Sequence, residues 1–201
     1  MPTAAIINYE VGNLFSIECG LKKVGFHTEI VSSPSQLKNK DAVVLPGVGS
    51  FSAAVNQLEP YRLKILDLVK SGTQLLGVCL GMQLFFSSSE EGTGKGLELF
   101  GGRVVGLPRS VKIPHMGWNT LRIVNENGLL EGIEDESFLY FVHSYFPIPA
   151  DKDIVVADTA YGTTFASVVA ENNVFGTQFH PEKSGEKGLA ILANFVKIVK
   201  K

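Results

Sequence analysis

Cysteine is scarce in this sequence, which has two cysteines, Cys19 and Cys79, among 201 residues. Two cysteines are too few for a disulfide framework, and they lack the spacing of metal ligands. We therefore expect a reduced cytoplasmic setting and no bound metal ion. The sequence also has no apolar run of membrane-spanning length, and its N-terminus lacks the basic segment and the cleavage site of a signal peptide.

A surplus of basic charge is absent as well. The chain has 18 lysines and arginines against 20 aspartates and glutamates, which gives a formal net charge of -2. Proteins that bind nucleic acids usually show a basic patch or block, so we expect no nucleic-acid partner. We expect no membrane partner either. The length and the hydrophobic fraction of 45% are sufficient for one domain, covering residues 1–201, with a substantial core.

Short apolar runs alternate with amphipathic stretches in the first half of the chain. The apolar runs cover residues 4–8, 27–31, 41–45 and 74–78. A turn is expected at Gly12-Asn13, and Gly25 is a helix stop signal. This alternation is typical of right-handed βαβ units with a parallel sheet, and we expect helices between the runs.

The second half of the chain has a different character. A polar, glycine-containing stretch over residues 87–101 predicts a long loop. Short β-like runs follow at residues 103–107, 120–124, 137–143, 154–159, 166–171 and 174–178, with a hairpin turn at Asn172-Asn173. A helix is expected from about residue 185 to 200. The predicted fold class is α/β and flavodoxin-like, with a mostly parallel central sheet and antiparallel additions in the C-terminal half.

Cys79 lies at the end of an apolar run, between Gly77 and Gly81. This pattern resembles a nucleophile elbow, in which a sharp strand-to-helix turn presents one side chain above the end of a sheet. The glycines give the room that a tight turn needs, and a following helix N-terminus would favour a thiolate. The alternative is a buried cysteine that only packs in the core.

The loop at Pro46-Gly47-Val48-Gly49 follows the third apolar run. Two glycines separated by one residue allow backbone N–H groups to point outward, as an oxyanion site requires. An ordinary turn between a strand and a helix would show the same residues. In a parallel sheet this loop and Cys79 both lie at carboxyl ends of strands, where α/β proteins place their sites.

A second stretch with candidate catalytic residues is His180-Pro181-Glu182, at the end of the last β-like run. The proline stops strand pairing and fixes the turn, so the carboxylate can fold back toward the imidazole. A carboxylate in this position orients the base of a catalytic triad, and a nearby base is the usual activator of a cysteine nucleophile. A histidine at a strand end with no catalytic role is the alternative.

Together these stretches resemble the class I, or triad-type, glutamine amidotransferases over nearly the whole chain. Residues 112–119, 141–145 and 179–184 are similar more specifically to the glutaminase subunits of imidazole glycerol phosphate synthases. Two positions depart from that pattern: Asn8, where many members have aspartate, and Glu98, where the family commonly has glycine.

The resemblance implies hydrolysis of glutamine to glutamate and ammonia by a triad of Cys79, His180 and Glu182, without a cofactor. The oxyanion donors would come from Gly47, Val48, Gly49 and Leu80. The substrate-binding residues would be Gln83, Glu91, Ser144 and Tyr145. The partner interface would include Trp118, Asn119 and Lys183. Tyr145 and Trp118 could instead be core aromatic residues.

The resemblance also implies a partner, a (β/α)₈-barrel cyclase subunit. It would receive the ammonia through a channel and form imidazole glycerol phosphate and an aminoimidazole carboxamide nucleotide in histidine biosynthesis. The glutaminase would be nearly silent alone, and its Gly47-Val48 peptide would have to reorient when the partner's ligand binds. The alternatives are a non-catalytic scaffold, the glutaminase of another synthase such as that for pyridoxal phosphate, and a protease- or deglycase-like cysteine enzyme.

Overall fold

A computed structural model describes residues 1–9 and 14–201 of the chain. The turn predicted at Gly12-Asn13 lies outside the described residues. The first part consists of β1 (Thr3–Ile7), α1 (Leu14–Lys23), β2 (His27–Val31), β3 (Ala42–Leu45), α2 (Phe51–Leu58), α3 (Arg62–Lys70), β4 (Gln74–Val78) and α4 (Leu80–Gln83). The predicted alternation of strands and helices is confirmed. Gly25 has φ +102° and ends the segment after α1, as expected of a glycine beyond a helix C-terminus.

The second part is richer in strands. It consists of β5 (Gly102–Gly106), β6 (His115–Thr120), β7 (Arg122–Ile123), β8 (Phe138–His143), β9 (Tyr145–Pro149), β10 (Val155–Ala160), β11 (Thr164–Glu171), β12 (Val174–Thr177) and α5 (Gly185–Val199). The sequence pattern did not predict β6 and β9 as strands. β6 contains Gly117, and β9 contains two prolines, so both lack the usual strand signature.

The central sheet has eight strands in the order β2-β1-β3-β4-β12-β11-β10-β7. The first five are parallel, and the remaining strands are antiparallel, so the predicted mixed sheet is confirmed. β12 pairs with β4, with Gly176 opposite Gly77. This pairing brings the chain that follows β12 to the chain that follows β4, although almost one hundred residues separate them in sequence.

Apolar residues cover both faces of this sheet, which explains the nearly continuous apolar runs of its parallel strands. Ala4 and Ile6 of β1 pack with α1 and α5 on one face, where Leu21 and Phe195 are fully buried. Ala5 and Ile7 face the other side and join a second core cluster with α2 and α3. Two smaller antiparallel sheets, β5 with β9 and β6 with β8, lie beside the central sheet.

Glu98 adopts φ +56°, in the left-handed region that favours glycine. This conformation explains why a related protein would have glycine at the position. The Glu98 carboxylate lies 3.0 Å from the guanidinium of Arg62, which also donates to the carbonyl of Gly96. The loop is therefore compatible with glutamate here, because a salt bridge to α3 accompanies the unfavourable backbone conformation.

Within residues 1–9 and 14–201, no helix combines the length and the apolar character needed to cross a membrane.

Candidate active site

Cys79 has the backbone conformation of a nucleophile elbow. Its φ of +55° and ψ of -108° are strained for a residue other than glycine. A Cβ on Gly81 would overlap the carbonyl oxygen of Leu45, and a Cβ on Gly77 would meet the ring of Phe85 and the backbone of Gly81. The helix that follows, α4, is only four residues long. Cys79 therefore lies at a tight turn whose close contacts require glycines on both sides.

This close packing gives a prediction for stability. Gly81→Ala should lower the free energy of unfolding by about 1–3 kcal/mol or more, because its methyl group meets the backbone of β3 rather than a movable side chain. Gly128→Ala is a suitable control, since its new methyl would make only ordinary contacts with Ile198 at 3.8 Å. Urea unfolding of both variants measures the difference. Equal midpoints for the two would contradict the contact at Gly81.

His180 and Glu182 form an ion pair beside the elbow. Nδ1 of His180 lies 2.8 Å from Oε1 of Glu182, and each side chain is 3% exposed. A short 3₁₀ turn over Pro181–Lys183 folds the carboxylate back onto the ring, as the sequence predicted. The carboxylate accepts from Nδ1–H, so it leaves Nε2 as the ring nitrogen available to the thiol of Cys79.

The electrostatic environment favours a protonated His180. Burial lowers its pKa, but interactions with the Cys79 sulfur and the Glu182 carboxylate outweigh burial and raise the pKa from 6.5 to about 9. Nε2 of His180 has no well-formed hydrogen bond to any described residue. The sulfur is therefore close enough to act on the ring electrostatically, without the geometry of a full hydrogen bond.

In the loop at residues 46–49, which was predicted to supply oxyanion donors, the carbonyl of Gly47 faces the elbow. The N–H of Leu80 donates to the carbonyl of Gly47, at 3.3 Å. The hydroxyl of Tyr9 donates to the carbonyl of Pro46, and burial, with a smaller effect of Cys79, raises the pKa of Tyr9. The N–H of Leu80, one of the predicted oxyanion donors, is thus occupied by the carbonyl of Gly47, which belongs to the other predicted part of the oxyanion site. In the Gly47-Val48 peptide the carbonyl, and not the N–H of Val48, points at Leu80.

A cavity of about 210 Å³ opens in front of Cys79. Its lining includes all four predicted substrate-binding residues, and the full set is Val48, Gly49, Cys79, Leu80, Gln83, Glu91, Pro114, Val142, His143, Ser144 and Tyr145. Oε2 of Glu91 accepts from the backbone N–H of Phe51 at 2.7 Å, at the start of α2. The cavity therefore combines a sulfur, a carboxylate, an amide and a hydroxyl in one concave site.

The predicted interface residues lie outside this cavity. Trp118 is exposed on β6, next to exposed Met116 on the same strand, and Phe138 is exposed on the paired strand β8. The carboxamide of Asn119 bonds within the chain, to the carbonyl of Ala160 and to a ring nitrogen of His115.

Sequence reasoning missed three polar side chains near the site: Gln178, His115 and His143. Nε2 of Gln178 lies 3.6 Å from the sulfur of Cys79, and the two histidine rings are joined by a 2.9 Å hydrogen bond. Gln178 could have been found, because residues two apart on an extended segment point to the same side, and Gln178 precedes His180 by two. The histidine pair depends on β6, which the pattern did not predict.

Comparisons with known proteins identify the family to which the chain belongs. The family model described as glutamine amidotransferase class-I matches residues 5–199. The imidazole glycerol phosphate synthase subunit HisH of Methanothermobacter thermautotrophicus is 49% identical over 197 residues, with 98% of each chain covered. The protein of the same name from Archaeoglobus fulgidus is 49% identical over 199 residues, covering 98% of this chain and 99% of that one.

Solved structures share the fold at lower identity. PurLQS from Thermotoga maritima has a TM-score of 0.79 at 19% identity, with 98% of each chain covered. A glutamine amidotransferase from Thermotoga maritima has a TM-score of 0.69 at 16% identity, with 99% of this chain and 84% of that one covered. The family model and these curated relatives show that the chain belongs to the class I glutamine amidotransferases and, within them, to the HisH glutaminase subunits of imidazole glycerol phosphate synthase.

Proposed function

We propose that Cys79, His180 and Glu182 are the triad with which this glutaminase releases ammonia from glutamine. The observation that carries the proposal is the pairing of β12 with β4. It brings the buried histidine–glutamate pair next to the cysteine of the elbow, and that cysteine lines the cavity. A thiol, a base and an orienting carboxylate are the groups that cysteine-based acyl transfer needs.

In this mechanism the Cys79 thiolate attacks the carboxamide carbon of glutamine, and the C=O bond opens to an oxyanion. Protonated His180 gives its proton to the departing nitrogen, so the C–N bond breaks and ammonia leaves a glutamyl thioester. Neutral His180 then removes a proton from water, which attacks the thioester and frees glutamate and the thiol. Glu182 holds the ring in one tautomer throughout and stabilises its charged form.

The oxyanion needs a change in the Gly47-Val48 peptide before it can bind. The carbonyl of Gly47 accepts from Leu80 N–H in the structure, which occupies a donor that the oxyanion would use. Rotation of this peptide would release Leu80 N–H and turn Val48 N–H toward the same point. Each such donor contributes about 3–4 kcal/mol to comparable reactions, so the chain in its present conformation should turn over glutamine slowly.

Glutamine would be bound by the four side chains at the cavity wall. Glu91 supplies a carboxylate for the substrate ammonium, while its Oε2 is anchored on Phe51 N–H. Both amide hydrogens of Gln83 are used inside the chain, by the carbonyl of Tyr145 and by Gln178. Gln83 therefore offers its carbonyl oxygen, an acceptor, to the substrate. Ser144 and Tyr145 complete the wall.

The ammonia must reach a second active site before it is protonated by water, because ammonium is not a nucleophile. We infer that a (β/α)₈-barrel cyclase subunit docks on the face that carries Met116, Trp118 and Phe138. These exposed side chains form an apolar surface on β6 and β8, and the backbone of β8 reaches the sulfur at Val142. Asn119 and Lys183 would lie at the border of that interface, in a cytoplasmic heterodimer whose glutaminase domain covers residues 1–201.

The test is glutamate release from glutamine, by this chain alone and by its mixture with a histidine-pathway cyclase and the cyclase's nucleotide substrate. We expect slow release alone and an increase of about 100-fold or more in the full mixture, the effect of one oxyanion donor. Trp118→Ala should weaken the activation, and Leu63→Ala, an exposed apolar residue on α3, should not. Fast glutamate release by the chain alone, with no increase when the cyclase is added, would contradict the proposed partner. No release in any mixture would favour a scaffold.

A further inference from the structure

We propose that Gln178 is a further catalytic residue, whose carboxamide donates to the sulfur of Cys79 and stabilises it as a thiolate. The inference rests on the proposed nucleophilic role of Cys79. Gln178 directly follows β12 and precedes the 3₁₀ turn over Pro181–Lys183. It is fully buried, and its backbone N–H donates to the carbonyl of Ser167 at 2.8 Å. Its Nε2 lies 3.6 Å from the Cys79 sulfur, within hydrogen-bonding range for a sulfur acceptor.

The direction of the Gln178 amide is fixed by its neighbours. A backbone carbonyl can only accept, so the atom of Gln83 that lies 2.7 Å from the carbonyl of Tyr145 must be the amide nitrogen. That same nitrogen lies 3.2 Å from Gln178, which must therefore present its oxygen there. Nε2 of Gln178 is left to face the sulfur. Turning either amide over would place two donors or two acceptors against each other.

The Tyr145 carbonyl, which fixes the directions of these amides, accepts a second hydrogen bond. It also accepts from Nδ1 of His143, at 3.0 Å, and Nε2 of His143 accepts from Nδ1 of His115, at 2.9 Å. Asn119 closes the series by donating to the other nitrogen of His115, at 3.3 Å. Burial lowers the pKa of His115 to about 4 and, with smaller contributions, that of His143 to about 3, so both rings are neutral. Each hydrogen in this network has one acceptor.

Gln178 differs from the other neighbours of the Cys79 sulfur in the protonation state of the sulfur that it favours. The carbonyl of Val142, at 3.6 Å, can only accept, so it favours the S–H form of Cys79. His143 is neutral, and the hydroxyl of Tyr9 is bound to Pro46. Protonated His180 favours a negative sulfur through its charge, and in the described part of the chain the Gln178 amide favours it through a donated hydrogen bond. A donor to an ionised acceptor gives a strong hydrogen bond in a buried site.

The test uses the whole chain with Cys19→Ser in every sample, so that Cys79 is the remaining cysteine. Gln178→Glu keeps the shape of the side chain but replaces the donor by a carboxyl group, and Gln178→Met removes both polar atoms. The rate of alkylation of Cys79 by iodoacetamide is followed against pH. We expect the midpoint of this profile to rise by about one pH unit in Gln178→Met, and further in Gln178→Glu. Glutamate release in the cyclase mixture should fall about tenfold or more.

Thr177→Val is the matched control. Thr177 is equally buried, and its hydroxyl donates to the carbonyl of Phe179 at 3.1 Å and not to the sulfur. Unchanged midpoints in both Gln178 variants, or an equal rise in Thr177→Val, would overturn the inference. If the parent releases glutamate but the alkylation midpoints of the Gln178 variants do not shift, this inference alone is overturned. A parent that releases no glutamate with the cyclase overturns the proposed function, and the inference with it.

Discussion

Cys79→Ala is expected to lower glutamate release by about 10⁴-fold or more in the complex with the cyclase, because no other described side chain at the cavity can form the thioester. Replacement of a nucleophile removes a whole step and not one contact, which makes this the largest effect expected for this chain. The measurement is single-turnover glutamate release, with thermal unfolding to show that the variant is folded. Alanine at this position has the same positive φ as cysteine and is no more strained by it.

Cys19→Ala provides the comparison. Cys19 is the other free cysteine, lies on α1 and is partly buried, so its replacement also removes a thiol, but one outside the cavity. We expect activity within about twofold of the parent, since substitutions away from functional features cost little. Substantial turnover by Cys79→Ala, or an equal loss in both variants, would show that Cys79 is not the nucleophile.

Much of the fold was predictable because local patterns determine it. The parallel strands are buried on both faces, so they appear as apolar runs, and α1 and α5 show clear helical periodicity. The position of β12 between β4 and β11 was not predictable in this way, since strand order depends on contacts between segments far apart in sequence. β6 and β9 were missed because glycine and proline, which weaken the strand signal, are tolerated in short two-stranded sheets.

The positions of the candidate site residues were easier to predict than the conformation of the loop beside them. Cys79 directly follows β4, and the His180-Pro181-Glu182 stretch comes shortly after β12. In the sequence, glycine marks the first of these turns and proline marks the second. The carbonyl of Gly47 facing Leu80 N–H is a choice between two orientations of one peptide, and glycine permits both. The role of Gln178 depends on amide directions that only a three-dimensional network can fix.

Glu182→Gln is expected to lower kcat/KM for glutamine by about 10²–10⁴-fold, the second-largest effect predicted for this chain. Glutamine at this position can donate as well as accept, so the imidazole loses its fixed tautomer, and the neutral amide no longer stabilises the charged ring. The parent's His180 has a pKa raised to about 9, to which Glu182 contributes. Removal of the carboxylate should move that pKa down, toward 6.5.

The pH profile separates this cause from a general loss of structure. In the proposed mechanism His180 donates its proton to the departing ammonia, so activity should fall as the pH rises through the His180 pKa, near 9 in the parent and at lower pH in Glu182→Gln. Glu186→Gln, which removes an exposed acid from the first turn of α5, should leave the basic limb of the profile in place. A basic limb that stays near the parent value in Glu182→Gln would mean that the carboxylate does not stabilise the proton on His180. The rate loss would then have to come from ring orientation alone.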